Sequence, residues 1–257
     1  MAVVGVLAVR ANHDRASLRG GRVLALVLAL LMVGALGMTP ASGRPPDVQW
    51  NKGSGPTQMS NGLPNPPGWY QAAVGRRTGH KVLYLTFDDG PSSFSRGLLK
   101  ALRRNKSLAT FFVTGRQATA DPHALRLMRR DGHAVGHHTW DHPELTTLSK
   151  SGLKQQLRPI DSRVRSCMRP PYGLINSQVA HVALRAGYQP IMWTAHIEDW
   201  NPHSLSWTKQ ELRRVTRPGA VILLHETHGT TVAAVRDLLP WWRSQGYRLA
   251  TVPSCTT

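Results

Sequence analysis

Cysteine is scarce in this 257-residue sequence, which contains only Cys167 and Cys255. Two cysteines exclude a disulfide-rich scaffold. The length of the chain is that of a single domain with a hydrophobic core of ordinary size. In an exported chain, such a pair is a disulfide candidate that would tie the C-terminal tail to the domain. Two free, buried thiols are the alternative.

The sequence also lacks an apolar run that would span a membrane readily. Residues 23–38 are apolar or glycine, and these sixteen positions fall short of the ~20 that a spanning helix requires. Four arginines precede the run, and small residues at 41–43 suit a cleavage site. These features predict a signal peptide over residues 1–43 and a protein that is secreted or associated with the cell envelope. An uncleaved membrane anchor is the alternative.

Acidic residues are few, since 14 of them oppose 32 lysines and arginines and give a net charge of +18. Without residues 1–43, which carry four arginines and one aspartate, the charge is about +15. The basic residues form no single stripe and no nucleic-acid-binding motif, so no nucleic acid partner is expected. An anionic cell envelope is the expected partner. An arginine-rich composition, with 25 arginines against 7 lysines, is the alternative explanation.

Residues 44–79 are predicted to be a linker, because this segment begins with a stretch that is rich in proline, glycine, serine and asparagine and has no hydrophobic period. Residues 80–257 form the predicted folded domain. No internal repeat is visible in it, and the sequence makes no prediction about oligomeric state.

From residue 80 onward, short β-branched or apolar runs alternate with amphipathic stretches of helical length. The predicted strands are residues 82–87, 109–113, 134–137, 166–169, 190–194, 220–224 and 247–252. The predicted helices are residues 96–105, 123–130, 153–164, 177–186, 208–215 and 232–244. Such a β/α pattern closes into a barrel or forms an open doubly wound sheet. Reactive side chains follow several of these strands, which favours the carboxyl-end face of a barrel.

Two motifs carry the strongest chemical signal. Asp88 and Asp89 lie in Thr-Phe-Asp-Asp-Gly-Pro after the first strand, and His138 and His142 follow the third strand with a spacing expected on one face of a helical turn. Asp and His are suitable ligands for an ion such as zinc, and three of them leave a coordination position open. The spare carboxylate could then act as a base. Asp-Asp-Gly-Pro is also a competent turn, and a His pair arises by chance among twelve histidines, but the two motifs together favour a metal site.

Three further segments add acid–base groups. Arg169 opens Arg-Pro-Pro-Tyr-Gly at a strand end, where a guanidinium can orient a carboxylate. Asp199 and Trp200 place a carboxylate beside a large apolar ring. His225 ends the apolar strand Ile-Leu-Leu-His, and by default would be a satisfied strand-end histidine. With Asp199 to fix its tautomer, His225 becomes a candidate general acid.

The ordered motifs Thr-Phe-Asp-Asp-Gly-Pro, His-Thr-x-x-His, Arg-Pro-Pro-Tyr-Gly, Asp-Trp and Leu-Leu-His resemble the polysaccharide deacetylases of carbohydrate esterase family 4, the NodB homology group, over about residues 80–252. The resemblance implies an α/β fold, a distorted (β/α)7 barrel. It also implies an enzyme that removes acetyl groups from N-acetylated glycans. Peptidoglycan is the first expected substrate, chitin or its oligomers the second, and acetyl-xylan, through esterase activity, the third. A glycan-binding protein without turnover is the rival hypothesis.

The resemblance implies one divalent ion, zinc by default, with cobalt, nickel or manganese as alternatives. Its three ligands would be Asp89, His138 and His142. Asp88 would be the base that takes a proton from the attacking water, and Arg169 would hold Asp88 in place.

The resemblance also assigns the groups that meet the substrate. His225 would protonate the departing amine, and Asp199 would orient His225. The backbone N–H of Tyr172 would help to bind the oxyanion, while Trp200 and Leu223 would form walls of the acetyl pocket.

Two positions depart from the family pattern. The family commonly has Asp where this chain has His196, so the electrostatics of the site are expected to differ. His196 could tune His225, bind a second ion or fill space. The family often has Asn where this chain has His137, so the assignment of His138 as the ligand rests on the spacing to His142.

Overall fold

The computed structural model describes residues 81–256 of the chain. Its strands are β1 Val82–Gly90, β2 Thr110–Val113, β3 Ala134–His137, β4 Cys167–Met168, β5 Gln189–Pro190, β6 Ala195–His196, β7 Val221–His225 and β8 Arg248–Leu249. Its α-helices are α1 Ser95–Arg104, α2 Gly115–Ala120, α3 Pro122–Arg130, α4 Lys150–Gln156, α5 Ser177–Arg185, α6 Leu205–Val215 and α7 Gly229–Ser244. The predicted signal peptide and linker lie outside the described residues. Within residues 81–256, no helix has the length and apolar character needed to cross a membrane.

All strand pairs are parallel, and the sheet runs in the order β5-β4-β3-β2-β1-β7-β6, with β8 paired to the start of β1. The two ends of this path, β5 and β6, are consecutive in the chain. The segment between them bonds to both edges, because Ile191 N–H donates to the Met168 carbonyl and Thr194 N–H donates to the Val221 carbonyl. The wall therefore closes through one irregular strand, and the predicted distorted (β/α)7 barrel is confirmed.

Alternation along the strands separates two hydrophobic clusters. The outer cluster lies between the sheet and helices that include α1 and α7. Its members on β1 and β7 are Leu83, Leu85, Phe87, Ile222 and Leu224. The inner cluster contains residues from strands and the segments that follow them. Its members on β1 and β7 are Val82, Tyr84, Val221 and Leu223. Even-numbered positions of β1 and odd-numbered positions of β7 therefore face the barrel interior.

Several predicted elements differ in extent from the structure, among them strand 247–252, of which only β8 Arg248–Leu249 forms, and proline contributes to two of the differences. The predicted strand 190–194 is replaced by β5 and β6 on either side of residues 191–194, since Pro190 has no N–H to donate to a ladder. The predicted helix 153–164 is replaced by α4, which begins after Ser149, whose side chain accepts a hydrogen bond from Gly152 N–H. Pro159 prevents its continuation because proline lacks a donor and disfavours helical geometry at the residue before it.

The helix α2 is absent from the predicted elements because its six residues are too short for a periodic signal. Thr114 begins it by accepting a hydrogen bond from Gln117 N–H. Asp121 then caps α3, and Pro122 occupies the first turn of that helix, where its missing N–H costs nothing.

A disulfide joins Cys167 of β4 to Cys255 in the C-terminal tail, which confirms the predicted bridge. Both cysteines belong to the inner cluster and are fully buried. The bridge spans 88 residues, so it removes considerable freedom from the unfolded chain. It ties the tail beneath the site described next.

Candidate active site

Strand alternation places several of the predicted site residues inside the barrel. Every second residue of β1 and β7 faces the barrel interior, and Asp88 and His225 are the next residues in those two series. The inner residue Ala134 of β3 leads in the same way to His138, and the inner residue Cys167 of β4 leads to Arg169. Because the strands are parallel, these side chains meet at their carboxyl ends.

Asp89 should point away from Asp88, since successive residues of a strand face opposite sides. The backbone prevents this. The register between β1 and β2 shifts between Asp88 and Gly90, and Asp89 has a φ of 70°. Such an irregularity at the end of a strand re-aims a side chain, and here it brings Asp89 to the same site as Asp88.

Asp89, His138 and His142 offer three ligand atoms within 4.8 Å of one another. The Nε2 atoms of both histidines lie 3.4 Å from Asp89 Oδ1. That oxygen is buried and has no hydrogen-bond donor within the described residues. A buried carboxylate oxygen without a donor is costly unless a cation occupies the space beside it. The predicted ligand set therefore fits a divalent ion, and two imidazoles with one carboxylate suit zinc.

His138 is held in the tautomer that a ligand requires. Its Nδ1 lies 2.8 Å from the Arg169 carbonyl oxygen, which can only accept, so Nδ1 carries the hydrogen. Nε2 is then left with a lone pair towards Asp89. Burial lowers the pKa of His138 to about 3, although Asp89 acts in the opposite direction, so the imidazole is neutral.

The expectation that His138 and His142 share a helical turn is wrong. Residues 138–142 form an irregular loop in which Thr139 and His142 have φ values of 67° and 61°. Thr139 stabilises the loop because its Oγ1 accepts a hydrogen bond from His142 N–H at 3.0 Å. The two imidazoles come together at 4.9 Å between ring centroids without helical geometry.

His137 lies on the other side of the strand. Its Nδ1 accepts a hydrogen bond from Thr139 N–H, its Nε2 donates to the Arg158 carbonyl, and its ring packs on Tyr188. Both ring nitrogens are thus engaged in holding the loop. The choice of His138 over His137 as the ligand agrees with this placement.

Asp88 and Arg169 form a buried ion pair, with Arg169 Nη1 2.8 Å from Asp88 Oδ1. Arg169 also donates to Thr86 Oγ1 and to the carbonyls of Ile191 and Met192, so its guanidinium is fixed by the barrel wall. Burial raises the pKa of Asp88, and the charge of Arg169 partly offsets that increase. A carboxylate with a raised pKa is a better base than an exposed one.

His225, at the end of the neighbouring strand β7, forms a second pair with Asp199. His225 Nδ1 lies 2.8 Å from Asp199 Oδ1, and Asp199 Oδ2 accepts from both His225 N–H and Thr231 Oγ1. This leaves Nε2 of His225 as the ring nitrogen available to a substrate. Burial by itself lowers the pKa of His225, but Asp199, with Asp89 and Asp88, raises it to about 9. The imidazole is therefore positively charged at neutral pH.

A cavity of about 280 Å³ lies between these groups. Tyr172, Trp200 and Leu223, the three predicted substrate-binding residues, all line it. Tyr172 and Trp200 are also partly open to solvent, at 44% and 42% exposure. The turn that carries Tyr172 has φ values of 58° at Tyr172 and 68° at Gly173, where a Cβ would lie 2.7 Å from Trp193. A glycine is therefore required at position 173, directly after Tyr172.

His196 does not line the cavity wall but lies behind Trp200, with the two rings stacked at 5.6 Å. Burial lowers the pKa of His196, so its ring is neutral. Trp200 in turn meets His225 edge to face at 5.8 Å. The ring of His196 thus packs against Trp200, a contact that the space-filling alternative for this position requires.

Sequence reasoning missed Glu226, Thr231 and Thr86. Glu226 is fully buried behind the site, where Ser95 Oγ donates to its carboxyl, and burial raises its pKa to about 8. An ionisable residue directly after the end of an apolar strand was the available signal for Glu226. The two threonines hold Asp199 and Arg169, and no sequence signal distinguishes them from other threonines.

Comparisons with known proteins identify the family of this chain. The family model for polysaccharide deacetylase matches residues 75–191. Over 181 residues, the chain is 36% identical to the peptidoglycan-N-acetylglucosamine deacetylase PgdA of Listeria monocytogenes, an alignment that covers 67% of this chain and only 38% of that relative. Over 198 residues, it is 31% identical to the chitooligosaccharide deacetylase of Azorhizobium caulinodans, covering 66% of this chain and 92% of the relative.

Among solved structures, the peptidoglycan deacetylase PdaC from Bacillus subtilis superposes with a TM-score of 0.63 at 32% identity. The match covers 67% of this chain and 88% of that one. The residues matched by the family model include the strand ends that carry Asp88, Asp89, His138 and Arg169. The chain therefore belongs to the polysaccharide deacetylase family, as its motifs predicted.

Proposed function

We propose that the protein is a secreted, metal-dependent deacetylase of N-acetylglucosamine-containing glycans, with peptidoglycan as its first substrate. One observation carries the proposal. A three-ligand cluster lies close to a buried carboxylate, Asp88, and a charged imidazole, His225, and all five residues line one cavity. An amide is a weak electrophile with a poor leaving group, so its hydrolysis needs a base, an acid and stabilisation of the oxyanion.

Asp89, His138 and His142 would hold the ion, with zinc as the proposed metal. A divalent ion bound there would polarise the acetyl carbonyl and lower the pKa of water towards ~7. Asp89 supplies a carboxylate oxygen to the ligand set, and His138 and His142 supply nitrogen ligands.

Asp88 acts as the base. Its Oδ1 is occupied by Arg169, which leaves Oδ2 to accept a proton from the attacking water. Oδ2 lies 3.8 Å from His138 Nε2, so it is next to the proposed ligand cluster. Arg169 acts as a positioning residue because it fixes the carboxylate and keeps its charge compensated inside the barrel.

His225 acts as the acid. The water oxygen forms a bond to the acetyl carbon, and the bond from that carbon to the sugar nitrogen then breaks. Nε2 of His225 donates its proton to the nitrogen as it leaves, so the products are acetate and a free amine. The backbone N–H of Tyr172 is proposed to donate to the oxyanion before the bond breaks.

The shape of the cavity supports an acetyl group as the part of the substrate that is enclosed. Leu223 and Trp200 provide apolar walls, and Trp193 lies beside them. The half-exposed rings of Tyr172 and Trp200 are at the mouth, where flat aromatic surfaces can pack on sugar rings. The enclosed part is therefore small and the polymer lies outside.

The names of two relatives support the order of substrates. One is named a peptidoglycan deacetylase and the other a chitooligosaccharide deacetylase. A predicted signal peptide and an anionic envelope as partner favour peptidoglycan over chitin, and acetyl-xylan is third.

The test is release of acetate by the full chain from peptidoglycan, from N-acetylglucosamine hexamer and from acetyl-xylan. Each assay is run on untreated protein, on protein stripped with a chelator and on stripped protein reloaded with zinc. Zinc-restored release, fastest on peptidoglycan, is the expected result. A folded protein that holds one zinc ion and releases no acetate from any of the three would support the binding protein without turnover instead.

A further inference from the structure

The face opposite the candidate site is strongly basic. Apart from α2, which is followed directly by α3, each α-helix leads to the amino end of a parallel strand, so the last turns of these helices surround the strand starts. Lys or Arg occupies the last turn of six of the seven helices, all except α2. The neighbouring loops and strand starts add further cations. We use the name basic face for six exposed members of this group, which are Lys81, Arg104, Lys106, Arg213, Arg243 and Arg248.

Contacts show that the members of the basic face are neighbours. Lys81 Nζ donates to the Gln245 carbonyl at 3.0 Å, and Arg248 N–H donates to the Lys81 carbonyl at 2.8 Å. The Arg213 guanidinium lies 5.4 Å from the ring centroid of Trp241, in the last turn of α7. The loop that carries Lys106 joins the same surface through a hydrogen bond from Leu108 N–H to Leu249.

These cations have few acidic neighbours. The segments 104–109, 213–220 and 243–248, which the structure describes in full, contain no Asp or Glu. Cations at helix ends are expected, since they interact favourably with the helix dipole. That effect does not account for Lys81, Lys106 and Arg248, which lie outside the helices. An arginine-rich composition alone would scatter charge, whereas here the cations are neighbours on one surface.

The direction of the chain indicates what this face meets. Lys81 directly precedes β1, so residues 1–80 join the domain on the basic face. That part of the chain includes the apolar run 23–38 with its four preceding arginines, the segment predicted to engage a membrane during export. The basic face is therefore the side of the domain from which the chain continues towards the segment predicted to engage a membrane.

We propose that the basic face binds the anionic surface of a lipid bilayer through its phosphate groups. Guanidinium groups bind phosphate oxygens in pairs, and a cluster of basic side chains is attracted to a negatively charged leaflet. Bound in this way, the domain directs its cavity away from the bilayer, towards glycan. The binding is independent of the deacetylase function proposed above, and only the benefit of this orientation rests on it.

The test compares three full-length proteins. The first is the wild type. The second removes four charges from the basic face with Arg104→Gln, Arg213→Gln, Arg243→Gln and Arg248→Gln. The third is a matched control that removes four exposed charges elsewhere, with Lys100→Gln, Arg126→Gln, Lys150→Gln and Arg236→Gln. The apolar run and the net charge are the same in both variants. Affinity is measured for vesicles of phosphatidylcholine and for vesicles of equal parts phosphatidylcholine and phosphatidylglycerol, at low and high salt.

The wild type and the control are expected to prefer the anionic vesicles, and high salt should abolish the preference. The basic-face variant should bind those vesicles about tenfold more weakly, or worse, because each basic side chain near an anionic leaflet contributes a several-fold factor. Equal losses in both variants would mean that only net charge matters and would overturn the proposal. So would a wild type without preference for the anionic vesicles.

Acetate release from soluble N-acetylglucosamine hexamer is measured on the same three proteins. Equal rates show that the variants are folded, since no substituted residue belongs to the site. If the wild type releases no acetate, the deacetylase proposal fails while the vesicle comparison still stands, with circular dichroism as the check of folding.

Discussion

The two ends of the barrel use left-handed backbone positions differently. At the end opposite the site, glycine fills most of them, and three follow the ends of α3, α5 and α7. These are Gly132, Gly187 and Gly246. At the site end, five residues with side chains adopt the same backbone region. These are Asp89, Thr139, His142, Tyr172 and Glu198. A side chain in this region costs roughly 1 kcal/mol or more, which glycine avoids.

The difference shows where the fold accepts backbone strain. Asp89 and His142 are proposed ligands, Thr139 holds the loop between the histidines, and Tyr172 lies at the mouth of the cavity. Each needs its side chain or N–H in a direction that ordinary strand or helix geometry would not provide. The opposite end has no such requirement, and its glycines end helices without strain. One end is arranged for chemistry and the other for stability.

The largest expected effect comes from removing the base at the site end. Asp88→Asn keeps an oxygen for Arg169 but cannot take a proton, so kcat should fall by about 10²–10⁴-fold. Zinc content should stay at the wild-type level, since Asp88 is not a proposed ligand. Acetate release and bound zinc are measured on the same sample.

Asp131→Asn is the control at the opposite end, where Asp131 pairs with Arg103 and Arg130. It should leave kcat unchanged. Substantial turnover by folded, zinc-loaded Asp88→Asn protein would remove Asp88 from the role of base.

The next effect is a change in pH dependence. Asp199 raises the pKa of His225, so Asp199→Asn should lower it and reduce kcat by about tenfold or more. The acid must be protonated, so the wild-type rate falls as the pH rises through the pKa of His225. In the variant, this fall should begin at a lower pH. A profile of kcat/KM against pH with an unchanged basic limb would show that Asp199 does not act through His225.

The interaction of His225 with Asp199 also makes the stability of the folded protein depend on pH. The pKa of His225 is higher in the folded protein than its ordinary value of ~6.5. Its contribution to stability is therefore complete below ~6.5 and is lost as the pH rises through about 9.

A smaller effect tests the glycines at the end of the barrel opposite the site. Gly246 has a φ of 78° and open space around the position of a Cβ, so Gly246→Ala should destabilise the protein by about 1 kcal/mol through the backbone alone. Gly97→Ala is the matched control, because Gly97 also has open space but lies in helix α1 without a positive φ. It should stabilise by about 0.5–1 kcal/mol. Urea denaturation measures both, and a loss of stability in both variants would contradict the backbone explanation.

The smallest effect concerns the exception to the pattern. Lys106 follows α1 at the end of the barrel opposite the site with a φ of 51°, whereas α3, α5 and α7 are followed by a glycine with positive φ. Lys106→Gly should therefore stabilise the protein by about 0.5 kcal/mol, since the gain at a left-handed position exceeds the entropy cost of glycine. Denaturation midpoints with unchanged acetate release are the readout. A less stable Lys106→Gly protein would show that the side chain of Lys106 makes a contribution greater than its backbone strain.

The barrel could be predicted because its signals are local. Alternation along a strand and apolar periods along a helix are visible in sequence, and strand parity even places His138 inside the barrel and His137 outside. Two predicted elements were wrong because a proline interrupted the regular structure that the apolar pattern indicated, at Pro159 in the predicted helix and at Pro190 in the predicted strand. The helical turn expected for the histidine pair failed because the spacing of two residues does not determine the backbone between them.

The residues that support the site were harder to predict. Thr86 and Thr231 act through contacts with Arg169 and Asp199 that are 83 and 32 residues distant in the chain. Such pairs depend on the tertiary fold and leave no local pattern. The re-aiming of Asp89 likewise depends on a register shift between two strands, which one sequence does not encode at a recognisable position.

The most direct test of the account uses the two adjacent histidines. His138→Asn and His137→Asn make the same change one position apart, on opposite sides of one strand. Bound zinc per chain and acetate release from peptidoglycan are measured for both full-length proteins after stripping and reloading. The account predicts that His138→Asn loses the ion and the activity, while His137→Asn retains both. Retention of zinc and turnover by His138→Asn, with their loss in a folded His137→Asn protein, would contradict it.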